Sequence, residues 1–204
     1  METNEYILIG GGEHARVVLD VLLSNKTKVN ALFDPKYSGK LFGINQLGNY
    51  KATLFSHSLA IVAIGDNATR KKACASVVHP FGNAVHGSAQ VSQFAKVLEG
   101  SVLFHHAVVQ ANSIIGRHVI INTGAQVDHD CLIGDYVHIA PGAILCGTVT
   151  VGEGALIGAG ATLIPGVEIG SWSTVAAGSV VTKSVPDNAM VGGIPARVIK
   201  ISRA

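Results

Sequence analysis

The stretch Ile121–Leu145, INTGAQVDHDCLIGDYVHIAPGAIL, is one six-residue unit written four times over. Its rows open on Ile121, Val127, Ile133, Ile139 and Leu145. Extending the rows in both directions, from Val85 to Val181, gives seventeen, and each opens on Val, Ile or Leu. The fifth place holds only Ala, Ser, Val or Cys, as at Ala107, Cys131, Val149 and Ser179, and glycine recurs at the second or fourth place. Neither an amphipathic helix nor an alternating strand has period six. A β-helix does: each row is a short strand plus a corner, with the first and fifth side chains inward and glycine or polar residues at the corners. Three rows make a triangular coil, so the seventeen rows give between five and six coils, stacked about 4.8 Å apart. No row is interrupted by an inserted loop. A ligand site therefore lies on an outer wall, and flat walls become pockets where chains associate.

Composition agrees with a stacked small-residue core. Of 204 residues, 24 are glycine, 5% aromatic and 14% charged. The net charge is +2, with no basic run and no basic-aromatic interleaving, which argues against a nucleic-acid partner. Cys74, Cys131 and Cys146 form no CxxC pair and read as reduced thiols. METNE runs into YILIGGG without a signal-peptide pattern, and no apolar run reaches membrane-spanning length, so the expectation is a cytoplasmic protein with no membrane span.

Residues 1–84 follow a different rule. YILIGGGEHARVVLDVLL reads as a strand, a glycine turn and a helix with apolar Val17, Val18, Val21 and Leu22. Further strands end at Asp34 and at Gly65-Asp66-Asn67, the latter before a basic helix with Arg70, Lys71 and Lys72. This is the pattern of a small Rossmann-like α/β unit that holds a nucleotide. Gly10-Gly11-Gly12 lets the backbone approach a phosphate at a helix N-terminus, although Ala15 breaks the full dinucleotide fingerprint. Asp34 suits a bond to ribose or a base edge. The resulting division is an α/β domain over 1–84, a β-helix over 85–186 and a C-terminal tail over 187–204, whose Arg197, Lys200 and Arg203 suit phosphate groups or plain solvation.

Within the repeat, His129 and Asp130 fall on a corner and Cys131 takes the inward fifth place. An imidazole beside a carboxylate is what a general base requires, though a corner histidine can also simply cap a turn. A Cys131 nucleophile is disfavoured, because Ala, Ser and Val fill the same place elsewhere. One coil beyond His129 lies Gly147, which either offers a backbone N–H to an oxyanion or is glycine only because the corner's backbone angles require it. His138 points outward from a wall. His105, His106, His118 and His129 raise the alternative of a zinc hydratase, but they lack the spacing that converges histidines on one metal, and no metal is expected.

The unbroken hexads, IGGGEHARVV, AIGDNATRKK, VDHDC and VPDNAMVGGIPARVIK together resemble the hexapeptide-repeat acetyltransferases of nucleotide-linked amino sugars and the related sialic acid O-acetyltransferases, over nearly the whole chain. The resemblance implies a left-handed β-helix, a homotrimer and acetyl-CoA as co-substrate between neighbouring chains. It further implies direct acetyl transfer, with His129 as base and Asp130 as its partner. It assigns acetyl-CoA contacts to His138, Gly147, Ala159, Ala177 and Lys183, and nucleotide-sugar contacts to Gly12, Glu13, His14, Asp34, Pro35, Gly65 and Asn122. The expected acceptor is the 4-amino group of a UDP- or dTDP-linked deoxy sugar. The alternatives are O-acetylation of a sugar hydroxyl and a non-catalytic nucleotide-sugar-binding scaffold.

Overall fold

A computed structural model describes residues 4–201. The first part is a five-stranded sheet built from β1 (Glu5–Ile9), β2 (Lys28–Phe33), β3 (Gly39–Leu41), β4 (Ile44–Leu47) and β5 (Leu59–Val62), in the order β3-β4-β2-β1-β5. All pairings are parallel except β3 with β4. Helix α1 (Glu13–Ser24) follows the glycine turn, and α2 (Asn67–Cys74) follows β5. Along α1, Ala15, Val18, Leu19 and Leu22 recur at three- and four-residue spacing and are buried, whereas Val17 is exposed. Gly10 carries φ +109°, and a Cβ there would lie 2.9 Å from the Ala63 carbonyl oxygen, so the turn admits only glycine.

From Ala84 onward the chain winds into three walls of two-residue strands. Wall one runs from Ala84–Val85 through His138–Ile139 to Thr174–Val175; wall two from Gln90–Val91 to Val180–Val181; wall three from Lys96–Val97 to Glu168–Ile169. Each strand pairs in parallel with the strand eighteen residues on, as His138 does with Leu156 and Ile144 with Thr162. Inward first-place residues such as Ile121, Val127, Ile139 and Leu145, and fifth-place residues such as Ala107, Cys131 and Ala143, are fully or almost fully buried. Every sixth residue from Gly100 to Gly178 has positive φ, because each corner turns through one left-handed residue. Half of these places are glycine; the others include Asp130 (φ 57°) and Thr148 (φ 61°). Asp tolerates this region better than a β-branched residue such as Thr.

The two parts share a core. Outward-facing Ala84, Val102 and Ile120 of wall one, together with Phe104, pack in one buried cluster with the apolar face of α1. The N-terminal domain thus covers wall one.

The segment expected as a C-terminal tail is folded through Ile201. Ala189–Gly193 adds to the top of wall one in parallel with Thr174–Val175, and Ala196–Ile201 pairs back on it antiparallel. A stack of coils ends in unpaired backbone groups and an open core. The hairpin extends the wall, and Ala189 and Val191 close the core beneath it, at 1% and 2% exposure. Arg197 and Lys200 lie on its outer strand; Arg203 is outside the described residues.

Candidate active site

The expected site residues fall in three places. His129, Gly147 and Lys183 lie along the edge between walls two and three, at intervals of one coil and two coils. Ala159 and Ala177 are exposed on the edge between walls one and two. His138 and Asn122 belong to wall one and the corner after it, beside the N-terminal residues.

At the first edge His129 Nδ1 and Asp130 Oδ2 are 2.8 Å apart, with the imidazole 57% exposed. A carboxylate only accepts, so Nδ1 carries the proton and donates, leaving the Nε2 lone pair directed outward. The hydrogen bond to Asp130, followed by the charge of Asp128, raises the His129 pKa above its ordinary value. Asn112 Nδ2 donates to the other Asp130 oxygen at 3.2 Å and fixes the carboxylate. Gly147 stacks on the ring: an added Cβ would lie 2.5 Å from His129 Cε1 and 2.7 Å from Nε2. Its N–H has no hydrogen-bond partner among the described residues, whereas its neighbour Thr148 donates to the His129 carbonyl. A base with a free lone pair and an unused N–H donor therefore share one corner. Cys131 is buried, its thiol lying against the Cys146 carbonyl, and burial raises its pKa. It is a packed thiol with no thiolate character.

His138 points outward from wall one, and the wall there is not free: the N-terminal domain covers it. Asn122 Nδ2 donates to His138 Nε2 at 3.1 Å, and His138 lines one cleft with Gly65 of the N-terminal domain. His14, in the first turn of α1, faces it with ring centroids 6.4 Å apart. Burial, more than neighbouring charge, pushes both imidazoles down to about 4. Both are neutral near pH 7 and are poor bases beside His129. His14 Nε2 is buried without a partner, an arrangement suited to a ligand hydrogen bond. A cleft of about 230 Å³ opens beside His138, lined also by Gly65, Asn67, Leu156, Trp172 and Thr174.

Gly12 caps α1 with no side-chain hydrogen bond, so the helix presents free N–H groups beside Glu13 and His14. Asp34 Oδ2 accepts from Gly11 N–H and Oδ1 from Lys36 N–H, both at 2.8 Å, bridging the glycine turn to the Pro35 turn after β2. The carboxylate thus shapes the cradle while its remaining lone pairs stay available.

Sequence reasoning missed Arg70, which it placed on a basic helix, and Asn67, which it placed at the strand end before that helix. Arg70 is only 1% exposed and Asn67 9%. The signal available was their spacing, since residues three apart on α2 share one helix face.

A hexad β-helix joined to a glycine-turn α/β domain is the architecture of a hexapeptide-repeat acyltransferase. Residues 5–77 match the PglD N-terminal domain family, and residues 112–147 and 148–183 each match the bacterial transferase hexapeptide family of six repeats. Among solved structures, the chain is 38% identical to PerB from Caulobacter crescentus, in complex with CoA and GDP-perosamine; 97% of this chain and 98% of that one are covered, with a TM-score of 0.92. It is 34% identical to the acetyltransferase domain of PglB from Neisseria gonorrhoeae, covering 96% and 100%, with a TM-score of 0.91. For WeeI from Acinetobacter baumannii the identity is 28%, the coverage 97% and 100%, and the TM-score 0.85. The chain belongs to the hexapeptide-repeat sugar acetyltransferases, and it is an acetyl-CoA-dependent sugar N-acetyltransferase.

Proposed function

We propose that the protein transfers the acetyl group of acetyl-CoA to the 4-amino group of a nucleotide-linked deoxy sugar, with His129 as the general base. The observation that carries this reading is the His129–Asp130 pair beside the unused Gly147 N–H. The amine nitrogen attacks the thioester carbonyl carbon, His129 Nε2 takes a proton from it, and the Gly147 N–H faces the carbonyl oxygen as charge builds there. Collapse of the tetrahedral species breaks the C–S bond, and the proton goes on to the departing CoA sulfur. The N-terminal domain holds the nucleotide diphosphate at the start of α1, with His14, Asp34 and Gly65 around it. A UDP- or dTDP-linked sugar is the expectation from the sequence. The similarity to a protein solved with GDP-perosamine adds GDP-linked sugars to the set to be tried.

The reading includes a cyclic trimer. In a triangular prism the His129 edge, between walls two and three, lies opposite wall one, where the nucleotide domain sits. One chain therefore cannot bring its own base to its own nucleotide site, and a second copy must supply it. Ile114 and Leu132 on wall three and Ile144 on wall two are exposed at 38%, 48% and 38% and flank the His129 edge, so an apolar surface is ready for that contact. Closed cyclic symmetry then forms one equivalent site at each seam, lined by Ala159, Ala177 and His138 of one copy and His129, Gly147 and Lys183 of the next.

Incubation with acetyl-CoA and UDP-, dTDP- and GDP-linked amino sugars, following free thiol, tests the chemistry. Thiol release dependent on the amine supports it; release with a hydroxyl sugar alone, or none with any sugar, overturns it. Mixed chains test the seam. Co-refolded His129→Ala and Asp34→Ala chains are expected to regain activity that neither has alone, because some seams combine two intact halves. No recovery in verified mixed trimers would place both halves in one chain.

Asp34→Ala by itself is expected to weaken nucleotide-sugar binding by roughly 10- to 100-fold, the usual worth of hydrogen bonds to a charged group. Acetyl-CoA affinity should stay within about twofold, since the two ligands meet different residues in this arrangement. Calorimetric titration of each ligand decides the point, and equal loss of both affinities would reject the division of labour.

A further inference from the structure

Arg70 is the only charged residue in the buried set among the described residues, and no carboxylate bonds to it. All five of its N–H donors are used. Nη1 donates to the carbonyls of Ile64 and Gly65, both at 3.0 Å; Nη2 donates to Asn67 Oδ1 at 2.8 Å and to the Tyr136 carbonyl at 2.7 Å; Nε donates to the His118 carbonyl at 2.9 Å. Asn67 Nδ2 in turn donates to the carbonyls of Gly154 and Ala155 at 3.0 and 3.1 Å. His118, Tyr136 and Gly154 occupy the same corner place on three successive coils, at the edge between walls three and one. The Arg70–Asn67 pair thus fastens the β5–α2 loop to three coils at once.

That loop carries Gly65, which meets both site histidines: it lines one cleft with His138, and an added Cβ on it would stand 3.6 Å from the His14 ring, in van der Waals contact. A buried cation held only by carbonyls and one amide is costly, and apolar packing would join two domains more cheaply. The geometry needs instead a rigid planar donor fork, which fixes distances in several directions together.

We infer that Arg70, through Asn67 and the Gly65 carbonyl, is a positioning residue that sets the register of the nucleotide domain on the β-helix and hence the placement of the acceptor sugar beside His138. The inference rests on the reading that the nucleotide sugar occupies the N-terminal domain. Arg70 also stands, after burial, among the causes that keep the His14 and His138 imidazoles uncharged.

The test compares Arg70→Lys, Arg70→Met and Asn67→Ala in the full-length protein. In Arg70→Lys and Arg70→Met, kcat/KM for the nucleotide amino sugar is expected to fall roughly 100-fold, the scale of a misplaced reactant. Asn67→Ala should fall in the same direction by less, and the KM for acetyl-CoA should change by less than about twofold in all three. The His138 imidazole, followed by NMR, should titrate at higher pH in Arg70→Met and near its wild-type pH in Arg70→Lys, where a cation remains. Variants that melt at lower temperature yet keep wild-type kcat/KM and an unmoved His138 titration would overturn the inference and leave Arg70 a purely structural bond. If Arg70→Met does not fold, unchanged kcat/KM in both Arg70→Lys and Asn67→Ala overturns it equally. A wild-type protein that acetylates no nucleotide amino sugar sinks the substrate reading alone, and the His138 titration then still decides the role of Arg70.

Discussion

His129→Ala is expected to lower kcat by about 10²- to 10⁴-fold, the usual contribution of a general base. Dissociation constants for acetyl-CoA and the nucleotide sugar should stay close to those of the wild type. The histidine sits at an open corner and packs against little, so its removal costs chemistry and spares the fold. The pH profile gives an independent reading of the same role. Only neutral His129 can take a proton, and its pKa is raised, first by the Asp130 hydrogen bond. Activity should therefore rise with pH through a value above the ordinary histidine pKa. Asp130→Asn removes the carboxylate, so that limb should move to lower pH, while the plateau falls because the weaker base accepts the proton less readily. A His129→Ala enzyme with near-normal kcat would assign proton removal elsewhere, and an Asp130→Asn limb that stays in place would deny the pair its electrostatic coupling.

Gly147→Ala should be nearly as damaging to catalysis and almost silent in stability. Gly147 does not have a left-handed φ, so its backbone accepts alanine. The added methyl would nevertheless meet the His129 ring at 2.5–2.7 Å, closer than carbon atoms approach. The ring is the outer end of an exposed side chain and can swing away at little energetic cost. It then leaves the position from which Nε2 reaches the amine, and a displacement of about 1 Å can cost roughly 100-fold in rate. The expected result is a fall of about that size in kcat/KM with the melting temperature within ~2 °C of wild type. The backbone N–H survives the substitution, so the loss would report on imidazole placement; wild-type kcat/KM would show that the stacking is not needed. A large fall in melting temperature would instead show the glycine to be a structural requirement of the corner.

The β-helix was legible because its information is local and periodic. Each row of six repeats the same demand for an inward aliphatic residue, a small inward fifth residue and a corner, and stacking adds only a shift of eighteen. That arithmetic alone puts Gly147 over His129 and separates inward Cys131 from outward Asp128. The glycine turn and the strand ending at Asp34 were legible for the same reason, since a turn's backbone constraints act on adjacent residues. The left-handed corner residues were only partly visible, because His106, Tyr136 and Trp172 stand where glycine stands in other coils.

Docking of the N-terminal domain on wall one has no period, and it decided the rest. Sequence made His138 a residue of a flat outer wall; the tertiary structure half-buries it beside Gly65 and His14, and the loss of solvent lowers the pKa of both imidazoles to about 4. Arg70 read as one of three basic residues on a solvated helix, but its bonds go to carbonyls 48 and 66 residues away. The segment from Asp187 reads from sequence as a C-terminal tail, yet it supplies the strands that close the last coil. The opposition of the His129 edge and the N-terminal domain likewise comes from which wall α1 covers. Periodic side-chain demands are repeated in every row and can be read from any of them. A contact between two unlike surfaces is made once, by residues distant in the chain, and only their arrangement in space brings it into being.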